Sequence, residues 1–77
     1  MLIKLIGGLV KKLVTNPDKV FVSCQKNDKL KIKVFVDPED LSTVIGISGR
    51  TFRALKAICL MLSDEPVGLV IEKINEN

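Results

Sequence analysis

Apolar residues recur every three to four positions from Met1 to Val14, and the three lysines of this stretch fall mostly between them. This spacing is typical of an amphipathic helix, which buries one face and leaves the other in water. The Asn16-Pro17 pair ends the pattern, because the residue before a proline is disfavoured in a helix. We therefore predict a first helix whose apolar face runs from Leu2 to Leu13 and which ends at Asn16-Pro17.

Two glycines, Gly7 and Gly8, lie inside this predicted helix. Each costs about 1 kcal/mol relative to alanine in a helix interior. They therefore either weaken the helix or mark the close approach of another element, of which a second copy of the chain is one candidate.

Two runs rich in β-branched and aromatic residues follow, at residues 20–24 and 30–36, with a polar segment between them. This is the pattern of a β-hairpin. If the apolar residues of both runs share one face, the hairpin needs either a loop with an odd number of residues or a bulge, and we expect a three-residue turn near Asn27 to Lys29. The opposite face would carry Phe21 and Phe35, as a cross-strand pair or an exposed patch. Lys29, Lys31 and Lys33 would lie there too, as a hydrated face or as an auxiliary track for phosphates.

The segment Asp37-Pro38-Glu39-Asp40 is typical of a helix start, since Asp caps the first turn, Pro fits the first helical position and acidic residues favour the positive end. We interpret all three carboxylates in this way. A short helix should reach about Ile45, and a second helix should run from Arg50 to Leu62. A nearly continuous apolar run from Val67 to Ile74 predicts a final strand. The predicted order is αββααβ, an α+β fold.

The composition fits one small domain over residues 1–77, because 47% of the residues are apolar and only three are aromatic. The formal net charge of +3 favours a polyanionic partner only weakly. Cys24 and Cys59 are far apart in sequence and the chain has no histidine, so neither a metal site nor a disulfide is expected. We predict that both cysteines are buried, reduced thiols of a cytoplasmic protein.

The four residues Gly46-Ile47-Ser48-Gly49 lie between the two predicted helices. Glycines there would let consecutive backbone N–H groups approach phosphate oxygens beside the positive end of the second helix. The alternative is that both glycines serve only as helix ends. Ser48 either contacts a phosphate or ribose or satisfies its own backbone. Arg50, Arg53 and Lys56 form a basic stripe that extends the phosphate site or is simply a hydrated helix face.

The segments Asp37–Leu41, Val44–Gly46, Gly49–Thr51 and Ala54–Lys56, together with Asn16-Pro17-Asp18, resemble the stand-alone bacterial KH proteins of the KhpA family. The resemblance covers essentially the whole chain. It implies a type II KH fold, with a three-stranded sheet covered on one face by three helices. It also implies that single-stranded RNA binds in a cleft beside the GXXG loop, which clamps about four nucleotides. The implied RNA-binding residues are Gly46, Ile47, Ser48, Gly49, Arg50, Arg53 and Lys56.

The same resemblance implies an RNA chaperone or post-transcriptional regulator linked to cell elongation and division. It implies a homodimer, or a heterodimer with a larger KH protein of the KhpB/Jag kind. Ile47 departs from the family, which usually has Lys directly after the first glycine of the loop. Aspartates at both Gly46 and Gly49 should abolish RNA binding and leave the fold largely intact.

The rival interpretation is a protein-interaction module that uses Ile47 and apolar helix positions for dimerisation, with RNA contact secondary. An enzyme is not expected, because no nucleophile stands beside a base and no recognisable carboxylate pair is present. We predict no cofactor, no small-molecule substrate and no stable membrane insertion, since the first helix is better suited to covering the sheet than to lying on a bilayer.

Overall fold

The computed structural model describes residues 2–75, so Met1, Glu76 and Asn77 lie outside the described range, along with the predictions made for them. The helices are α1 (Leu2–Leu13), α2 (Leu41–Ile45) and α3 (Arg50–Leu62), and the strands are β1 (Phe21–Lys26), β2 (Leu30–Val36) and β3 (Val67–Lys73). Short 3-10 turns at Pro17–Lys19, Pro38–Asp40 and Ile47–Gly49 precede β1, α2 and α3. The predicted order αββααβ is confirmed.

The strands form one sheet in the order β1-β2-β3. β1 and β2 are antiparallel, with Lys26 opposite Leu30, so the predicted three-residue turn at Asn27 to Lys29 is confirmed. β2 and β3 are parallel, with Leu30 opposite Val67. Parallel neighbours need a long crossover, and α2 and α3 supply it.

All three helices cover the same face of this sheet, and the core lies between the two layers. Ile32, Val34 and Val36 of β2 face the helices and are fully buried, whereas the residues that alternate with them are not. The fully buried side chains are all aliphatic or cysteine: Ile6, Val10, Ile32, Val34, Val36, Val44 and Cys59. Among residues 2–75, the fully buried part of the core therefore contains no aromatic ring, and Phe52 packs against it while only partly buried.

Gly7 marks a close approach within the chain. A Cβ at this position would lie 3.3 Å from Cγ2 of Val22, so the missing side chain lets α1 pack tightly onto β1. Gly8 has nothing within 4 Å of the corresponding position. Only the first glycine therefore has a packing role in the fold.

The prediction of two buried cysteines is right for Cys59 and wrong for Cys24, which is exposed. β1 is an edge strand, and α1 covers only its beginning. Val22 is half-buried beside Gly7, but Cys24 lies one repeat further towards the turn, beyond the cover of α1. Cys24 has the strand position that faces the helices, but this position alone does not bury its side chain.

The helix-start interpretation holds for Asp37, whose Oδ1 accepts a hydrogen bond of 3.0 Å from the N–H of Glu39. It is wrong for Asp40. That carboxylate is buried and accepts hydrogen bonds from the segment after α1, from the backbone N–H groups of Thr15 (3.0 Å) and Asn16 (3.1 Å) and from both side chains. Asp40 therefore joins two parts of the fold instead of capping one helix.

Within residues 2–75, every helix is too short or too polar to cross a lipid bilayer.

Candidate nucleic-acid interface

The loop Gly46–Gly49 connects α2 to α3 through three residues with positive φ. Gly46 has φ of +81°, Ser48 of +55° and Gly49 of +74°. A Cβ at Gly46 would lie 2.5 Å from Oγ1 and 2.9 Å from the backbone N of Thr51, so no side chain fits there without rearrangement. At Gly49 the nearest atom, Nη1 of Arg53, would be 3.6 Å away, and only the backbone conformation favours glycine.

This geometry argues against the expectation that aspartates at both glycines would leave the fold largely intact. A side chain at Gly46 meets Thr51 at the start of α3, and that helix supplies core residues. The variant would change the shape of the loop as well as its charge. The two middle residues of the loop are the better positions for an electrostatic test.

Three of the five backbone N–H groups from Gly46 to Arg50 already donate hydrogen bonds within the protein. The N–H of Gly46 donates to a carbonyl of α2 at 2.8 Å, that of Gly49 donates to the carbonyl of Gly46 at 3.2 Å, and that of Arg50 donates to the carbonyl of Ile47. Within residues 2–75, the N–H groups of Ile47 and Ser48 have no such acceptor. The sequence predicted a row of consecutive free N–H groups in this loop. Only those of Ile47 and Ser48 are available, and both residues carry side chains.

The basic stripe divides into two roles. Nη1 of Arg53 donates a hydrogen bond of 2.8 Å to the carbonyl of Ser48, so this side chain holds the loop in its conformation. Arg50 and Lys56 are exposed, and neither makes a hydrogen bond or ion pair within the described part of the chain. Six residues of helix, about 9 Å, separate them. These two cations are available to an external anion.

An apolar cleft of about 330 Å³ adjoins the loop. Ile45, directly before the loop, and Phe52, in the first turn of α3, form one wall, and Leu69, Val70 and Ile71 of β3 form the other. In the described sheet β3 pairs only with β2, so the free edge of β3 borders the cleft. The family resemblance implied a cleft beside this loop but not the residues that line it. The sequence feature that could have indicated this lining is Phe52, an aromatic residue three positions after the loop.

The comparison with known families agrees with this geometry. The sequence model of the family described as "KhpA/KhpB, KH domain" matches residues 3–71. The chain belongs to this KH-domain family. The resemblance stated from the motifs is thereby confirmed.

Curated relatives of this KH domain cover most of its length. A protein of Leifsonia xyli named "RNA-binding protein KhpA" is 40% identical over 65 residues, which cover 83% of this chain and 86% of the relative. A Streptomyces coelicolor protein of the same name is 42% identical over 59 residues, or 75% of each chain. These names denote binding proteins, in agreement with the expectation that the chain is not an enzyme.

A solved structure shares the fold of this KH domain. The crystal structure of a point variant of Aquifex aeolicus Era bound to GDP.AlF4- superposes with a TM-score of 0.68 over 97% of this chain, at 14% sequence identity. This chain spans only 31% of that protein. At this identity the likeness concerns the fold alone.

The two middle loop residues of this KH domain point outward. Ile47 is 83% exposed, the most exposed large apolar side chain of the described residues. Ser48 is exposed, and its hydroxyl makes no hydrogen bond to the loop within residues 2–75. The alternative in which Ser48 satisfies its own backbone is therefore not supported.

Proposed function

We propose that the chain binds single-stranded RNA without catalysing a reaction, with the loop at the RNA backbone and the cleft at the bases. The observation that carries this proposal is the pair of unbonded amides at Ile47 and Ser48, directly beside an apolar cleft. The relatives named "RNA-binding protein KhpA" support the same ligand class.

The loop would act on the phosphodiester backbone. Phosphate oxygens would accept hydrogen bonds from the N–H groups of Ile47 and Ser48, near the positive end of the α3 dipole. Arg50 and Lys56 would attract neighbouring phosphates and release counterions. Arg53 would contribute indirectly, because its hydrogen bond to the carbonyl of Ser48 keeps the two amides oriented outward.

The cleft would act on the bases. Phe52 offers a ring for stacking, and the aliphatic side chains of Ile45 and Leu69 complete an apolar floor. The free edge of β3 offers backbone donors and acceptors to base edges, since no strand pairs with it in the described sheet. With one ring and one short edge, affinity should be modest and base preference weak.

The test is fluorescence anisotropy of a labelled single-stranded RNA pool with the double variant Ile47→Asp/Ser48→Asp. Aspartate tolerates the left-handed backbone of Ser48, and both glycines stay in place. The matched control is Ile47→Asn/Ser48→Asn, which has nearly the same shape without the charge. We expect the charged variant to lose at least about tenfold in affinity and the neutral one much less, with circular dichroism confirming both folds. Equal affinities for the two variants would reject the loop as the phosphate site.

A dimeric state is a second part of the proposal, either as a homodimer or as a heterodimer with a KhpB/Jag-like KH protein. The observation that favours it is the exposure of large apolar side chains, namely Ile47 at 83% and Met61 at 81%. Leu60 and Leu62, beside Met61, are exposed as well, so the end of α3 presents an apolar patch of the kind that marks protein interaction sites. Sedimentation velocity of the wild type and of Met61→Ser, with and without RNA, would separate self-association from RNA binding.

The cellular roles implied by the family belong to the same proposal. These are RNA chaperoning or post-transcriptional regulation in the cytoplasm, with a link to elongation and division. A strand-annealing assay comparing the wild type with the charged loop variant tests the chaperone role. Equal annealing rates would argue against it.

A further inference from the structure

The face of the sheet opposite the helices carries most of the aromatic residues of the chain. The strand register puts Phe21 directly opposite Phe35, so the two rings are cross-strand neighbours on this outer face. The chain has three aromatic residues, and the third, Phe52, lines the cleft. No aromatic residue belongs to the buried core.

The exposure of these rings is difficult to explain by folding alone. Phe21 is 57% exposed, although burial of a phenylalanine side chain would stabilise the fold. Phe35 is half-buried. A cross-strand aromatic pair stabilises the hairpin somewhat, but that effect does not require an open face.

The same face carries positive charge. Lys31 is exposed and makes no ion pair or hydrogen bond within residues 2–75, and Lys33 lies one repeat further along β2. Glu72 is the one carboxylate among the strand residues of this face, and its Oε2 lies 3.7 Å from Nζ of Lys33. The free cation at Lys31 is therefore not neutralised by its neighbours on the sheet.

A depression of about 440 Å³ lies at the turn end of this face. Gly68, opposite Lys31 in the register, lines it, and no atom lies within 4 Å of the Cβ position of this glycine. Lys29, Lys31 and Gln25 line it, and Asp28 is the one acidic residue among the lining residues. The space is large enough for a planar base, with two ammonium groups at its rim.

The outer face continues into the cleft through Val70. This residue lines the cleft and lies in the same cross-strand row as Lys33 and Ser23. The separation between neighbouring strands is about 4.8 Å, so a ligand leaving the cleft reaches Lys33 by crossing one strand. The two surfaces are therefore contiguous across β3.

From these observations we infer that the outer face of the sheet is a second binding surface for single-stranded RNA. A strand longer than the cleft can hold passes over β3 at Val70. Its phosphates lie near Lys31 and Lys33, and its bases stack on Phe21 or enter the depression at Gly68. Aromatic rings on an open sheet, flanked by cations, suit unpaired bases because stacking tolerates any sequence. The inference takes its ligand class from the proposed function but does not depend on the loop.

The test compares random-sequence RNA pools of about four and about twelve nucleotides, since a KH loop clamps about four. The sheet variant is Phe21→Ala/Lys31→Gln, and the matched control is Leu5→Ala/Lys12→Gln on α1, which removes one exposed apolar side chain and one lysine elsewhere. The sheet variant should bind the longer pool at least about fivefold more weakly, as for the loss of one stacked base. It should bind the shorter pool within about twofold of the wild type, as should the control for both pools. Circular dichroism melting confirms that both variants fold.

Amide chemical shifts of the unmodified protein provide a readout independent of any variant. The longer pool should move the amides of Phe21, Lys31 and Gly68, and the shorter pool should move only those of the loop. In Ile47→Asp/Ser48→Asp the sheet amides should still move at higher RNA concentration. Sheet amides that stay unmoved by the longer pool, or a sheet variant that binds it as the control does, would overturn the inference. It would also be overturned if those amides move with protein concentration alone, because the face would then be a contact between copies.

Failure of the two hypotheses gives different results. If the charged loop variant binds the shorter pool as the wild type does while the sheet amides respond to the longer one, the loop proposal fails and the sheet inference stands. If the wild type binds neither pool, both fail.

Discussion

The hydroxyl of Thr15 donates a hydrogen bond of 2.6 Å to Oδ1 of Asp40, and so joins the segment after α1 to the start of α2. The backbone N–H of Thr15 donates to the same oxygen at 3.0 Å. These bonds favour the ionised carboxylate, and the Thr15 hydroxyl contributes most to lowering the pKa of Asp40 against the opposing effect of burial. The charge is therefore held by hydrogen bonds and has no need of a cationic partner.

Replacement of this carboxylate should destabilise the fold. We expect Asp40→Asn to lower Tm by roughly 5 °C or more, because the new amide nitrogen would face the donors of Thr15 and Asn16. Thermal melting followed by circular dichroism measures this change in Tm. The control is Asp18→Asn, which replaces an exposed carboxylate. A Tm equal to that of the control would show that the hydrogen bonds to Asp40 contribute little.

Acid should remove the contribution of the Asp40 carboxylate to the stability of the fold. Because the pKa of Asp40 is lower in the folded than in the unfolded chain, its contribution to stability is complete above the unfolded pKa and is lost as pH falls through the folded pKa. Denaturation midpoints between about pH 6 and about pH 2 should therefore fall less steeply in Asp40→Asn than in the wild type. Parallel curves would contradict the lowered pKa.

Arg50 and Arg53 should behave differently although they are neighbours on α3. Arg50→Gln removes one free cation, so the salt slope of RNA binding should fall by roughly 0.7 while Tm changes little. Arg53→Gln also removes the hydrogen bond to the carbonyl of Ser48, and should lower affinity beyond the loss of one charge. Anisotropy titrations at several salt concentrations measure both. Identical titrations would show that the contact to Ser48 does not position the loop.

Lysine in place of Ile47 should strengthen RNA binding. The side chain is 83% exposed, so the substitution disturbs no packing and adds one cation beside the two free amides. The salt slope should become steeper by roughly 0.7. Ile47→Gln is the neutral control. If Ile47→Lys binds no better than this control, then a cation next to the first loop glycine is not a phosphate contact in this protein.

The two cysteines should differ in reactivity. Burial raises the pKa of Cys59, which disfavours its reactive thiolate, and the side chain is fully buried. Cys24 is exposed on β1. With a thiol reagent in native buffer, one thiol per chain should react quickly and the second only as fast as the fold opens. Cys24→Ser should abolish the fast phase, and a persisting fast phase would place Cys59 within reach of the reagent.

The order of elements and their approximate bounds followed from local patterns. The proline at position 17, the alternation in residues 30–36 and the acidic start before α2 each determine backbone geometry within a few residues. The equal parity of the two hairpin strands also favoured a turn with an odd number of residues, which the register of β1 and β2 confirms. Such features depend on neighbours in sequence, and a single sequence contains them.

The errors concern contacts between distant segments. Burial of Cys24 depends on where α1 ends above an edge strand, and the role of Asp40 depends on Thr15 and Asn16, which are 25 and 24 residues away. The candidate site shows the same limit. Its glycines and cations were identified from the motif, whereas the wall formed by β3 and the internal hydrogen bonds of the loop amides arise only when the chain is folded.

The loop 46–49 lies inside the crossover that connects β2 to β3, and none of its four residues belongs to the core. The helices on either side are anchored by Val44, Leu55 and Cys59, which belong to the core whatever residues stand at the loop tip. Selection can therefore exchange the side chains at positions 47 and 48 without altering strand register or core packing. Such a fold can acquire or lose an affinity by few mutations at the exposed tip of its loop, with its core unchanged.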